Sequence, residues 1–182
     1  MLTHPSPVVT ATDRLPQVTH PRNPGMPLDL DWVAGVQANT PAIERRAASL
    51  PGRRSVKKDW QAAWLLKAIT LIDLTTLSGD DTEGRVQRLC AKARQPVRAE
   101  LLEALGMPGI TTGAVCVYHE MVPAAVRALE GTSIPVAAVS TGFPAGLSPF
   151  RLRIAEIGES VRAGAREIDI VISRRHVLTQ NW

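Results

Sequence analysis

The chain has 182 residues, of which 45% are hydrophobic, and a formal net charge of +4. It is long enough for one globular domain. It has neither the roughly 18-residue apolar run of a membrane span nor a secretion signal, so we expect a cytoplasmic protein without a membrane partner. The chain has two cysteines, too few for a disulfide framework, and they lack the Cys-x-x-Cys spacing of a zinc site. Its four histidines are scattered, which also argues against a metal centre. The basic residues are interspersed with acidic ones, which argues against a nucleic-acid partner.

The N-terminal part of the chain divides into a tail and a helical segment. Residues 1–27 predict a disordered tail, because six prolines among Thr, Asn and Gly cannot bury enough apolar surface to offset the entropy of ordering. Helical spacing of apolar residues begins at residue 28. Thr40 and Pro41 then predict the N-cap and first turn of a second helix, and a basic loop precedes a third helix over residues 59–66. We therefore expect N-terminal helices over residues 28–66.

From residue 67 onward, short apolar runs alternate with amphipathic stretches, which is typical of repeated βα units around a parallel sheet. Four runs are rich in Val, Ile or Thr and apolar on both faces, as buried parallel strands tend to be. They span residues 68–74, 112–118, 134–140 and 167–172. Helices are predicted between them, over residues 81–94, 97–105, 121–130 and 150–163. Gly131 and Gly164 fit the left-handed position that commonly closes a helix.

Four such units have two explanations that periodicity alone does not separate. They could be a complete, small, doubly wound sheet or half of an eight-stranded barrel. A full barrel typically takes about 250 residues, so this chain is short of one by roughly four βα units. If it is half a barrel, the first and fourth strands each expose an unpaired edge, which favours association.

Two carboxylates lie inside these strand patterns. Asp73 belongs to the first run and Asp169 to the fourth, where an unpaired buried carboxylate would cost several kcal/mol. An acid at such a position is usually partnered or used in chemistry. Two structural explanations remain open: Asp73 could cap the turn of residues 74–77, and Asp169 could pair with Arg174 or Arg175.

Other candidate groups would join these acids at the carboxyl ends of the strands, where functional groups gather in parallel α/β folds. Cys116 lies near the end of the second strand, although a cysteine there is also explained as a small core residue. Residues 141–149 follow the third strand. Their glycines could let a backbone approach a ligand, but they match neither a Walker loop nor a dinucleotide fingerprint. The chain also lacks the Gly-x-Ser-x-Gly elbow of many hydrolases.

Four motifs occur in one order: IDLTTLSGDDT from Ile72, GITTGAVCVY from Gly109, STGFPAG from Ser140 and EIDIVISR from Glu167. Together they closely resemble deoxyribose-phosphate aldolase. VKKDWQAAWLLKAI, from Val56, resembles the longer, animal-type form of that family. The likeness covers about residues 28–182.

The resemblance implies an α/β fold, namely the first half, about four βα units, of a TIM (β/α)8 barrel over residues 67–182. It also implies a class I aldolase of deoxyribonucleotide catabolism. Such an enzyme reversibly cleaves 2-deoxy-D-ribose 5-phosphate, its phosphosugar substrate, to D-glyceraldehyde 3-phosphate and acetaldehyde. The family needs no metal or cofactor.

The resemblance further implies roles for four residues. In this family a lysine amine forms a Schiff base with the sugar, and the iminium serves as an electron sink for carbon–carbon cleavage. Asp169 matches the catalytic aspartate that relays protons with a second lysine, and Asp73 matches an acid that orients the same network. Cys116 and Leu77 match positions that line the substrate pocket.

The chain departs from the family in its lysines. The Schiff-base lysine of the family lies on the sixth strand and the relay lysine on the seventh, and neither has a counterpart before Trp182. The lysines present match no catalytic position; they are Lys57, Lys58, Lys67 and Lys92. We therefore expect a truncated aldolase that is inactive alone.

Two other hypotheses remain open. One is a non-enzymatic half barrel that associates with itself, as a homo-oligomer, or with a separate second half. The other is a complete small α/β sheet that binds an anion.

Overall fold

The structure is a computed structural model that describes residues 26–53 and 55–182. The predicted tail, residues 1–27, therefore lies almost wholly outside the described residues. The chain divides into two units, one up to Ala38 and one from Asn39 onward. In the first unit, helix α1 spans Leu30–Gly35, and the Asp29 carboxylate caps it by accepting hydrogen bonds from the first-turn backbone N–H groups.

The second unit begins with two helices. Helix α2 spans Thr40–Ser49, and its N-cap is Asn39 rather than the predicted Thr40, because the Asn39 side chain accepts a hydrogen bond from the Ala42 backbone N–H. Pro41 lies in the first turn, as predicted. Helix α3 spans Lys58–Ile69.

A parallel sheet of four strands forms the centre of the second unit. The strands are β1, Asp73–Thr75; β2, Ala114–Tyr118; β3, Val136–Ser140; and β4, Glu167–Ile170. They lie in the order β1-β2-β3-β4, and every neighbouring pair is parallel. The predicted sheet of four βα-type strands is thus confirmed.

Helices alternate with the strands in the chain. They are α4, Glu83–Arg94; α5, Ala99–Ala104; α6, Val122–Ala128; α7, Phe150–Arg162; and α8, Arg174–Leu178. A short 3-10 turn, His119–Met121, joins β2 to α6. Gly131 and Gly164 follow α6 and α7 with φ angles of 77° and 106°, so the predicted left-handed residues are confirmed. Among the described residues, no helix is long and apolar enough to cross a membrane.

The predicted first strand was wrong at its start. Residues 68–72 were assigned to the strand, but α3 continues to Ile69 and β1 begins only at Asp73. The reason is local: the sequence before Thr70 is rich in Ala, Leu, Lys and Gln, which favour a helix over a strand.

The main core lies on one side of the sheet, between the strands and helices α4 and α6. Val115 and Val117 of β2 and Val136 of β3 point to this side and pack with Val86 and Cys90 of α4. All five are 3% exposed or less. Because side chains alternate along a strand, the residues between these valines point to the opposite side of the sheet.

Candidate functional site

We call that opposite side of the sheet the inner face. Its side chains alternate with those of the main core, and the strand register places them in rows. One row consists of Thr75, Cys116, Ala137 and Glu167, and a second of Tyr118, Val139 and Asp169. Asp73 lies beside Ala114, before the first row. The two predicted acids and the predicted cysteine therefore share one face.

The two acids are exposed, which corrects the expectation that they are buried. Asp73 and Asp169 both belong to strands at the edges of the sheet, and both are classed as exposed. The inner face of an edge strand has strand neighbours on one side only, and within the described part of the second unit no helix residue packs in the apolar cluster of this face. Among the described residues, neither carboxylate makes an ion pair or a side-chain hydrogen bond, so neither proposed structural role is observed.

The register also separates the acids along the strand direction. Asp169 lies level with Tyr118, whereas Asp73 lies level with Ala114, four residues earlier on the same strand. At about 3.3 Å per residue this offset is roughly 13 Å. The structure thus brings the two carboxylates onto one face but does not bring them together.

Cys116 is the buried centre of the inner face. It is only 3% exposed and packs in a small apolar cluster with Ala137 and Val139, against which Leu77 and Phe143 lie. The predicted pair of pocket-lining residues, Cys116 and Leu77, is therefore in one cluster. The expectation that Cys116 is a small core residue is consistent with the same packing.

The pKa of the Cys116 thiol depends on the charges on this face. Its pKa is raised to about 11, first by burial and then by the negative charges of Asp169 and Asp73. A hydrogen bond with Thr75 opposes this shift. The thiol is therefore protonated at neutral pH, so it is a weak nucleophile.

None of the lysines lies on the strands. Lys57 immediately precedes α3, Lys58 and Lys67 belong to it, and Lys92 lies on the exposed side of α4. All four belong to the described residues. Among the described residues, the inner face therefore carries carboxylates and a thiol but no amine, and an amine is the group that a Schiff base requires.

The loop after β3, which the sequence analysis named as a candidate by its range 141–149, is held by hydrogen bonds that the sequence did not indicate. The Thr141 hydroxyl accepts a hydrogen bond from the Val171 N–H at 2.7 Å and donates one to the Val171 carbonyl at 3.0 Å. The Gly142 N–H donates to Glu156 of α7 at 2.8 Å. Phe143, whose ring meets that of Tyr118 edge-on at 5.9 Å, extends this loop onto the inner face. In the sequence this loop was signalled by its glycines, by its position after the third strand and by the STGFPAG motif.

A second polar loop follows β1. The Asp81 carboxylate accepts hydrogen bonds from the Thr76 hydroxyl and the Ser78 N–H, and it pairs with Arg85 at 3.1 Å. Burial acts to raise the pKa of Asp81, but these partners outweigh it and the pKa is lowered. The neighbouring Asp80 also pairs with Arg85. These bonds satisfy the acids locally, which indicates a structural role for this loop.

The described residues contain no group of three or more His, Cys, Asp or Glu side chains that could hold a metal ion. They do form an apolar groove of about 530 Å³ beside the free edge of β4. Its apolar lining residues include Phe150, Ile154, Ile170, Ile172 and Trp182. The groove lies outside the inner face, because Ile170 alternates with Asp169.

No protein-family model matches the chain. Curated relatives do match it: the deoxyribose-phosphate aldolase of Mus musculus is 60% identical over 162 residues, which is 87% of this chain and 51% of that protein. The deoxyribose-phosphate aldolase of Homo sapiens is 57% identical over 164 residues, which is 88% of this chain and 52% of that protein. The chain thus spans about half the length of the curated relatives it matches.

Solved structures agree in fold. A crystal structure named as a deoxyribose-phosphate aldolase from Coccidioides immitis is similar with a TM-score of 0.51 and 27% identity, over 63% of this chain and 40% of that one. A second, from Toxoplasma gondii, has a TM-score of 0.51 and 19% identity over 67% of this chain and 42% of that one. The parallel βα units are therefore part of a TIM-barrel fold. By sequence and by fold, the chain corresponds to an N-terminal part of deoxyribose-phosphate aldolase.

Proposed function

We propose that this chain is part of a class I aldolase that cleaves 2-deoxy-D-ribose 5-phosphate reversibly through a lysine Schiff base. The observation that supports it most is the 60% identity to a curated deoxyribose-phosphate aldolase over 87% of the chain. In this proposal the inner face is the part of the substrate site that these residues supply. The chemistry needs no metal or cofactor, because the iminium itself withdraws the electrons.

The roles proposed for the inner face follow from the groups it presents. Asp169 would relay protons with an amine, since an ionised carboxylate at an open face can accept and return a proton. Asp73 would act on the same network through its charge. Cys116 and Leu77 would give the sugar an apolar surface, which suits the deoxygenated carbon that distinguishes deoxyribose from ribose.

We also propose that these 182 residues are inactive by themselves, because their lysine amines lie on or next to helices α3 and α4. Incubation of the chain with 2-deoxy-D-ribose 5-phosphate and borohydride should leave its mass unchanged. Human deoxyribose-phosphate aldolase, treated in parallel, is the control that should gain a stable adduct. A covalent adduct on any lysine of this chain would contradict the proposed inactivity.

A second candidate is a half barrel that associates with itself, and the uncovered β4 edge favours it. Ile170 and Ile172 are each 59% exposed beside the groove. Sedimentation equilibrium would show a concentration-dependent dimer that Ile170→Lys abolishes. Leu105→Lys, at an exposed residue outside the groove, is the matched control. A monomer at all concentrations would eliminate this candidate.

A further inference from the structure

The turn after β3 is held in a backbone conformation that needs support. Thr141 and Gly142 have φ angles of 60° and 78°, and the Gly146 N–H closes the turn on the Gly142 carbonyl at 2.8 Å. A left-handed conformation is unfavourable for a residue with a Cβ atom such as Thr141. Contacts from outside the turn must therefore keep it in place.

Two such contacts come from different elements. The Thr141 hydroxyl donates to the carbonyl of Val171 and accepts from its N–H, and Val171 lies just after β4. Glu156, on α7, accepts the Gly142 N–H at 2.8 Å through Oε2. Its other oxygen, Oε1, lies 3.5 Å from Nδ1 of His119. Only 20% of the Glu156 side chain is exposed, so its carboxylate is aimed at the turn rather than at solvent.

The turn carries Phe143 onto the inner face. The Phe143 ring packs against the cluster of Cys116 and also contacts Tyr118 edge-on. Cys116 keeps only 3% of its surface exposed, although none of the described helix residues packs in its apolar cluster. Phe143 is therefore one of the side chains that close this part of the face, and its place depends on the turn.

We infer that Glu156 is a positioning residue, which fixes the Thr141–Gly146 turn through the Gly142 N–H and thereby holds Phe143 as an aromatic wall over the inner face. That this wall borders a phosphosugar site rests on the proposed aldolase function. Glu156 itself touches no reacting group in this role. A hydrogen bond to a charged acceptor is stronger than a neutral one, which suits a contact that must hold a strained turn.

The two cysteines of the chain provide a test that needs no catalysis. Cys116 lies under the turn, whereas Cys90 lies in the main core on the other side of the sheet. Alkylation of each by N-ethylmaleimide can be followed separately by peptide mass spectrometry. Glu156→Ala should accelerate alkylation of Cys116 roughly ten- to a hundredfold, the range expected when a hydrogen bond to a charged group is lost, and leave Cys90 unchanged.

Two further variants separate positioning from general stability. Glu156→Gln keeps an acceptor oxygen for the Gly142 N–H and should restore slow alkylation of Cys116. Glu159→Ala removes a carboxylate from the same helix that pairs only with Arg162 among the described residues, and it should have no effect. The amide signal of Gly142 in a ¹H–¹⁵N spectrum should move in Glu156→Ala and stay near its original position in Glu156→Gln.

Three results would overturn the inference. They are an unchanged Cys116 rate in Glu156→Ala, an equal acceleration of Cys116 and Cys90, and a Glu156→Gln variant that behaves like Glu156→Ala. None of these readouts requires catalysis. A failure here therefore leaves the aldolase proposal intact, and an absence of aldolase activity leaves this inference intact.

Discussion

Replacement of Asp169 by asparagine should make the Cys116 thiol more reactive. The two residues lie on the inner face of β4 and β2, and the Asp169 charge is the largest contribution to the raised pKa of Cys116 after burial. Asparagine has nearly the same shape as aspartate but no charge. The substitution therefore removes the electrostatic effect and leaves the packing of the cluster unchanged.

The register gives the size of this effect. Asp169 and Cys116 are separated by two interstrand steps of about 4.8 Å and by two residues along the strand, which together make about 12 Å between Cα atoms. At that distance two unit charges interact by ~0.4 kcal/mol in water and by ~1.4 kcal/mol at an effective dielectric constant of 20. The thiolate population should consequently rise roughly two- to tenfold in Asp169→Asn, since about 1.4 kcal/mol corresponds to tenfold.

The assay is the rate of iodoacetamide alkylation at pH 8, measured separately for the two cysteines. With a pKa of about 11, Cys116 is a thiolate in only about one molecule in a thousand at this pH, so the rate is proportional to that population. Cys90 is the internal control for unfolding. Glu159→Gln controls for loss of a carboxylate elsewhere. An unchanged or slower Cys116 rate in Asp169→Asn would refute the placement of the two side chains on one face.

Three other predictions concern stability, measured by urea unfolding. Val117→Ala should cost about 2 kcal/mol, because Val117 is fully buried in the main core and its loss leaves a cavity. Thr141→Val should cost about 2–4 kcal/mol, since it leaves both the N–H and the carbonyl of Val171 without their hydroxyl partner. The folded-state pKa of Asp81 lies below its ordinary value of 3.8, so its stabilising effect is complete above about pH 5 and is lost as pH falls through the folded pKa. Asp81→Ala should therefore flatten the decline of stability between pH 5 and pH 3, and an unchanged slope would contradict this.

The fold was predictable where the apolar pattern of a segment matches the burial of the strand that it forms. β2 and β3 have neighbouring strands on both sides and helices on one face, so their apolar runs correspond to strands that are buried almost throughout. The start of β1 was not predictable in this way. Residues 68–72 are apolar in either conformation, and the helix propensity of α3 decides the outcome up to Ile69.

The sequence was enough to predict which residues belong to the candidate site, but not how exposed they are or what they contact. Alternation along β1 and β4 is enough to place Asp73 and Asp169 on one face, but their exposure depends on what covers that face. Glu156 was not predictable, because its bond to Gly142 joins a helix to a turn 14 residues earlier and exists only once α7 is packed. A pattern of helical spacing describes α7 correctly without indicating that one of its acids points inward.

The exposed apolar side chains and the carboxylate around β4 restrict which kind of protein surface can pack against this edge of the sheet. Phe150, Ile154, Ile170 and Ile172 are 52–70% exposed. Burial from full exposure contributes about 1.5–3 kcal/mol for each such side chain, so covering the roughly three-fifths that is still exposed on the four would add about 4–7 kcal/mol. This is a large share of the stability of a typical domain. A surface that continues the sheet beyond β4 would also cover Asp169, which costs several kcal/mol unless a cationic or hydrogen-bonding group accompanies it. The proposed aldolase mechanism meets that requirement with an amine, whereas a second copy of this chain would have to meet it with an arginine, because its lysines lie only on or next to helices.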